Sequence, residues 1–114
     1  MWTYRAKVVD VIDNRTVDVE IDLGFHVRTQ VRVGLLDVSV LGMYTPVGRE
    51  AAYEVQEWIW EHDDGSPFPL VLTTRRLAWS GIVGDHEGYV GTIITPNGES
   101  LNEHMTRWSS NNPF

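Results

Sequence analysis

Cysteine is absent from the 114-residue sequence, and lysine occurs once, as Lys7. Without cysteine the chain can form neither a disulfide bond nor a thiolate metal site, so the sequence carries no mark of a redox compartment. Sixteen acidic residues outnumber nine basic ones, which gives a net charge of −7. Proteins that bind a phosphate backbone regardless of sequence usually present a basic patch, and the longest basic run here is Arg75-Arg76. The composition therefore disfavours nonspecific nucleic-acid binding, although one local anion site stays possible.

The sequence also lacks the segments that insert a chain into a membrane or direct it to secretion. No apolar run approaches the roughly 20 residues that span a bilayer. The first ten residues, MWTYRAKVVD, alternate like a strand and show no basic region followed by an apolar one, as a secretory signal peptide would. We therefore expect a cytoplasmic protein with no signal peptide and no membrane partner.

The hydrophobic content is sufficient for one globular domain. It amounts to 42% and includes five tryptophans, and a chain of this length buries roughly two-thirds of its unfolded surface. Such a domain folds without covalent cross-links. We predict a single domain over residues 1–108 and a polar C-terminal tail over residues 109–114.

Hydrophobic periodicity predicts five strands, over residues 2–12, 17–22, 26–36, 70–75 and 88–95. If the first turn pairs Ile12 with Val17, then Lys7 lies opposite Asp22 as a favourable cross-strand pair. The alternating acids of the second strand are expected to form a solvated face; they are Asp18, Glu20 and Asp22.

Two helices are predicted from their capping signals. Thr45 followed by Pro46 begins a helix that runs to about His62. Ser100 and Glu103 match a capping box that begins a short helix ending near residue 108. Three strands, a helix, two strands and a helix is the order of the OB fold. The predicted class is therefore α+β, a five-stranded OB-fold barrel with one helix between strands 3 and 4 and a short C-terminal helix.

Several segments resemble the staphylococcal-nuclease-like (thermonuclease) family, especially its small bacterial and bacteriophage members. They are YRAKVVDVIDNRTVDVEIDLGFHV, VRVGLLDVSV, GREAAYEVQEWI, DHEGYVGTI and NGESLNEHM, and they span most of residues 4–105 in the family's order. The resemblance implies an OB fold and a site in which two aspartates and a carbonyl hold Ca²⁺, a glutamate activates water and two arginines stabilise phosphate charge. Such groups suit phosphodiester hydrolysis because a hard cation takes oxygen ligands and fixed cations stabilise developing charge.

The first half of that site is altered in the hairpin. The family's Asp-Gly-Asp-Thr is Asp13-Asn14-Arg15-Thr16 in this sequence. Asp13 matches the pattern, but Arg15 replaces a metal-ligand aspartate with a positive charge. Asp37 matches the second metal ligand, so the resemblance implies an Arg15–Asp37 ion pair in place of the metal. Asp13 and Asp37 are then the only metal candidates, and we expect them to bind a cation weakly if at all.

The catalytic groups are altered as well. Arg32 matches the first phosphate-binding arginine, whereas Val40 stands in place of the catalytic glutamate and Tyr89 in place of the second arginine. No complete catalytic set remains, and Arg32 and Asp37 are its remnants. Arg15, Arg32 and Tyr89 are the candidate binding residues. Two roles are open for Arg32: it can retain an anion-binding site, or it can pair with Asp37 or with a neighbour on an adjacent strand.

Aromatic residues exceed what the apolar faces need. Tyr53 and Trp60 lie seven residues apart on the helix face that points away from the predicted core. Exposed aromatic residues mark protein interfaces and can stack on bases. The alternative is that the aromatic residues cover the edges of the core and the C-terminal helix.

The leading functional hypothesis is a catalytically inactive nuclease-like module that binds a protein partner, a virion or host protein if the chain is phage-encoded. No cofactor is expected, and Ca²⁺ would be needed only if activity is retained. One alternative is a residual Ca²⁺-dependent phosphodiesterase. The other is a single-stranded nucleic-acid binder without cleavage. The oligomeric state is left open.

Overall fold

The computed structural model describes residues 2–38, 42–76 and 89–112, and for Trp2, Arg75 and Arg76 it describes the backbone alone. The described elements are β1 (Trp2–Val11), β2 (Thr16–Asp22), β3 (Arg28–Leu35), α1 (Pro46–Glu61), β4 (Leu70–Arg76), β5 (Tyr89–Ile94) and α2 (Leu101–Asn111). None of these helices is long and apolar enough to cross a membrane.

The five strands form a closed barrel in the order β1-β2-β3-β5-β4. Four of the strand pairs are antiparallel, and the parallel pair of β3 with β5 completes the closure. Helix α1 lies between β3 and β4 in the chain, and α2 follows β5. The predicted fold class is therefore confirmed: the protein is an OB-fold-like barrel with two helices.

The barrel is filled by the inward-facing residues of its strands. Val17, Val19 and Val33 are completely buried, and a fully buried side chain of this kind stabilises the fold by about 1.5–3 kcal/mol. Ala51 and Val55 of α1 belong to the same core. The side of α1 that carries Ala51 and Val55 thus faces the core, which leaves the opposite side of the helix in solvent.

The register of β1 against β2 differs from the predicted one. Val11 pairs with Val17, and an irregularity between Val8 and Asp10 shifts the ladder, so that Lys7 faces Glu20 rather than Asp22. A β-bulge adds one unpaired residue to a strand and moves every later pair. Strand periodicity alone carries no sign of such an insertion.

Both predicted helix starts are confirmed. Thr45 Oγ1 accepts a hydrogen bond from the backbone N–H of Gly48 at 2.9 Å, and Ser100 Oγ accepts one from the N–H of Glu103 at 3.2 Å. These bonds satisfy amide groups that have no partner within the first helical turn.

Helix α2 ends later than predicted, because residues 109–111 are helical rather than part of a tail. Ser110 Oγ donates to the carbonyl of Thr106 at 3.0 Å, and Asn112 Nδ2 donates to the carbonyl of Trp108 at 2.8 Å. Trp108 also packs against the core. These contacts stabilise a last turn whose polar sequence resembles a tail.

Candidate functional site

The turn between β1 and β2 is stabilised by its own side chains. Asp13 Oδ1 accepts a hydrogen bond from the backbone N–H of Arg15 at 2.8 Å. Asn14 is buried, and its Nδ2 donates to the carbonyl of Gly48 at 3.1 Å, which joins the turn to the start of α1. Asp and Asn are typical of turns because their side chains bond the nearby backbone. Asp13 is therefore used here as a turn-forming residue.

Arg15 and Asp37 line the same pocket, a cavity of about 260 Å³ that also contacts Val38 and Val90. The Arg15 carbonyl accepts a bond from the N–H of Leu35 at 2.7 Å, which holds the turn beside the end of β3. Asp37 follows β3 with a φ of 59°, a left-handed conformation in which Asp is among the residues found most often.

The Arg15–Asp37 ion pair predicted from the resemblance is wrong for this structure: within the described chain, no ion pair joins the two side chains. Both residues are exposed. An ion pair between exposed side chains gains only about 0–1 kcal/mol. Each charge can therefore be solvated separately, and the two residues line one pocket without forming an ion pair.

Arg32 instead binds Asp18 through two parallel hydrogen bonds. Nε donates to Oδ1 at 2.9 Å and Nη2 donates to Oδ2 at 3.2 Å. The two residues are directly paired across β2 and β3. The Asp18 side chain is only 12% exposed, against 42% for Arg32. This two-point geometry uses the planar fork of the guanidinium, which is also the part that would bind a phosphate.

The electrostatic surroundings of Arg32 are negative. The hydrogen bond with Asp18, and then the charge of Asp18, raise the pKa of Arg32, and the charges of Asp10 and Asp13 act in the same direction. Of the two alternatives open for Arg32, the structure shows pairing with a strand neighbour. An incoming anion would have to displace a nearly buried carboxylate and approach two further ones.

Asp18 is the site residue that sequence reasoning missed, since a solvated position was expected and the residue is 9% exposed. A signal was present. The ladder of β2 and β3 is symmetric about the turn, so Asp22 pairs with Arg28 and Asp18 with Arg32. Placing that turn at residues 23–27 and counting outward would have found the pair.

The predicted metal ligands do not fit a calcium site. Ca²⁺ takes 6–8 oxygen ligands, and the described residues contain no group of three or more His, Cys, Asp or Glu side chains that could hold an ion. Asp13 is engaged in its turn, and Asp37 shares its pocket with the positively charged Arg15. The prediction for Val40 lies outside the described residues.

The three candidate binding residues do not converge on one ligand position. Arg15 lines the pocket, and Arg32 is bound to Asp18. Tyr89 begins β5, pairs with Val33, and packs partly buried against the core. Tyr89 thus contributes to the barrel wall, which agrees with the alternative that aromatic residues cover the core edges.

Asn102 is a second residue whose role the sequence did not indicate. It is buried, and its Oδ1 accepts from the N–H of Ile93 at 3.0 Å. Its Nδ2 donates to the carbonyls of Leu36 at 2.9 Å and Gly91 at 3.0 Å. One side chain thereby joins α2 to β5 and to the end of β3. Asn102 thus positions the chain next to Asp37.

The outer face of α1 is formed by exposed residues on the side away from the core: Arg49, Glu50, Tyr53, Gln56, Glu57, Trp60 and Glu61. Tyr53 is 69% exposed and Trp60 78%. The alternative that aromatic residues cover the core does not hold for these two. Among the acidic residues of α1, Glu54 binds His104 of α2 at 2.6 Å. The remaining acids of this face have no salt bridge within the described chain.

No protein-family model and no curated protein matches this chain. The nuclease-like resemblance therefore rests on the sequence segments that suggested it.

Proposed function

We propose that the protein is a catalytically inactive, nuclease-like binding module with an OB-fold-like barrel, and that its partner is a protein. The observation that carries the proposal is the two-point bond between Arg32 and Asp18. It occupies the guanidinium that the family resemblance assigns to phosphate. The proposal includes a cytoplasmic location, which would be the host cytoplasm or the virion if the chain is phage-encoded.

Loss of catalysis is supported by the other replaced positions. Arg15 stands where the resemblance expects a metal-ligand aspartate, and Tyr89 stands where it expects an arginine. Removing one well-placed base or electrostatic donor typically lowers a rate by about 10²–10⁴. These effects are not additive, but the loss of several together leaves little rate above the uncatalysed reaction.

A protein partner is favoured over nucleic acid by the charge distribution. The net charge is −7, and both arginines of β3 are paired, Arg28 with Glu20 and Arg32 with Asp18. Nucleic-acid binding depends on cations that are free to neutralise phosphates. Exposed aromatic side chains such as Tyr53 and Trp60 are instead enriched in protein interfaces.

The test is incubation of the full chain with single-stranded DNA and RNA in millimolar Ca²⁺, with cleavage followed on gels and binding by fluorescence anisotropy. We expect no cleavage above the buffer control and no binding at physiological salt. Cleavage that Arg32→Ala and Asp37→Ala abolish would overturn the proposal. Arg28→Ala is the matched control, because it removes another paired arginine from the same strand. Co-purification from the natural host then identifies the protein partner.

A further inference from the structure

The outer face of α1 is suited to a partner of particular chemistry. Tyr53 and Trp60 lie seven residues apart, about two turns, and so share one side of the helix. Glu50 and Glu57 lie three residues before and four residues after Tyr53, and Glu57 lies three before Trp60. Residues at these spacings are neighbours on a helix surface. The two aromatic rings are therefore bordered by carboxylates on one side, and by the exposed Arg49 and Gln56 on the other.

The two rings and the carboxylates of Glu50 and Glu57 have no ring or ion-pair partner within the described chain. The one ring pair found there is Trp58 with His62, and it does not involve either exposed ring. The nearest cation along the helix is Arg49, but its Nη1 is directed to the carbonyls of Met43 and Tyr44 at 3.4 and 3.3 Å. Neither Glu50 nor Glu57 forms a salt bridge with a described residue.

We infer that the outer face of α1 binds a cationic, arginine- or lysine-containing segment of the protein partner; this inference rests on the proposed binding function. Guanidinium and ammonium groups bind over the faces of Trp and Tyr, and the same groups pair with carboxylates. Complementary charge also accelerates encounter and excludes acidic partners. An anionic nucleic acid or a second copy of this acidic surface would meet repulsion instead.

The test uses the isotope-labelled 114-residue chain and two synthetic peptides of equal length, one alternating arginine with alanine and one alternating glutamate with alanine. We expect the arginine peptide to shift the backbone amide signals of Tyr53, Glu57 and Trp60 and the Trp60 indole N–H, with an affinity that falls as salt rises. The glutamate peptide should leave these signals in place.

Variants separate this face from the general negative charge of the protein. Tyr53→Leu combined with Trp60→Leu keeps the net charge and should weaken binding of the arginine peptide about ten-fold, as two exposed cation–π contacts are lost. The matched control for the rings is Phe25→Leu, an aromatic residue 99% exposed on the β2–β3 turn. For the carboxylates, the test variant is Glu57→Gln on α1 and its control is Glu103→Gln on α2, since each removes one negative charge. Both controls should bind within about two-fold of the unmodified protein.

Three results would overturn the inference: no shift at α1 with the arginine peptide, equal shifts with an oligothymidylate, or the same shifts on concentrating the protein alone. If the peptide fails and no nucleic acid is bound or cleaved, the surface is wrong but the binding function stands. If nucleic acid is cleaved in an Arg32-dependent manner while the peptide binds α1, the surface stands and the proposed function fails.

Discussion

Charged side chains are paired with each other in one region of this protein and are left without salt bridges in another. In the barrel wall, Arg32 and Asp18 neutralise each other through two hydrogen bonds, and Asp18 is nearly buried. On the outer face of α1, Glu50 and Glu57 are exposed and have no salt bridge in the described chain. Paired charges serve the fold, and unpaired charges beside exposed rings are available to a partner. Residue type alone does not distinguish the two uses.

The largest expected loss of stability follows substitution of the buried Asn102, which joins α2 to the barrel. Asn102→Ala removes three hydrogen bonds and leaves the buried N–H of Ile93 and the carbonyl of Leu36 without that partner. We expect a loss of about 3 kcal/mol in the free energy of unfolding, since each orphaned buried group costs ~1–3 kcal/mol. Urea denaturation measures it. Asn111→Ala, an exposed position on the same helix, is the control, and an equal effect of the two variants would disprove the role of Asn102.

The second-largest effect is expected when the paired charges of the barrel wall are separated. Asp18→Asn removes the negative partner of Arg32 and should lower the free energy of unfolding by about 1–2 kcal/mol, because charged hydrogen bonds are lost but Arg32 stays partly solvated. The freed guanidinium should also raise affinity for a single-stranded oligonucleotide, measured by anisotropy at low salt. Glu20→Gln, which releases the more exposed Arg28, should cost less than about 0.5 kcal/mol. Unchanged stability and unchanged affinity in Asp18→Asn would contradict the assigned neutralisation.

A smaller, pH-dependent effect is expected at the C-terminal end of α1, where His62 caps the helix. His62 Nδ1 lies 2.7 Å from the carbonyl of Trp58, and Nε2 lies 2.6 Å from Glu99 Oε2. Burial lowers the pKa of His62, but the bonds to Trp58 and Glu99 outweigh it, so the pKa is raised above 6.5 in the folded chain. Only the protonated ring can donate to both acceptors.

The raised pKa fixes the direction of the pH dependence. The stabilisation by His62 is complete below its unfolded pKa of about 6.5 and is lost as pH rises through the higher folded value. We expect a loss below about 1 kcal/mol, since Glu99 is largely exposed. Unfolding free energies measured between about pH 6 and pH 8 should show this fall in the unmodified protein and a smaller one in Glu99→Gln. If the free energy of unfolding falls equally with pH in both proteins, the contribution assigned to the His62–Glu99 pair is refuted.

The smallest stability effect is expected on the outer face of α1, although its effect on binding is the one of interest there. Tyr53→Leu and Trp60→Leu should each change the free energy of unfolding by no more than about 0.5 kcal/mol, because both side chains are mostly exposed. Thermal unfolding followed by circular dichroism is sufficient. A large loss in either variant would show that the ring serves the fold, and the contrast between the two regions would disappear.

Much of the architecture follows from local patterns in the sequence. Alternating Val17 and Val19 predict an inward-facing strand, and Thr45 and Ser100 predict the helix starts, because strand periodicity and capping act over a few neighbouring residues. The exposure of Tyr53 and Trp60 follows from helical spacing in the same way. The strand and helix order leads from these elements to the OB-fold-like barrel.

The candidate site was predicted only in part, because it depends on contacts between distant residues. Arg32 and Asp37 were both found, but Asp18, rather than Asp37, is the partner of Arg32. Asn102 was matched within a resembling segment without any sign of its three bonds. Lys7 faces Glu20 rather than Asp22, because Val11 instead of Ile12 pairs with Val17 and a bulge in β1 shifts the ladder by one further residue. Each difference arises from register or packing, for which one strand or helix taken alone contains no information.

Local chemistry in the chain thus determined which residues form strands and helices, where the helices begin, and which side of α1 faces solvent. The tertiary structure decided which charges are paired. Arg32 meets Asp18 because the β2–β3 ladder places them opposite each other, while Arg15 and Asp37 share a pocket but form no ion pair. Pairing energy depends on distances of a few ångströms between groups far apart in sequence, and only the closed barrel sets those distances.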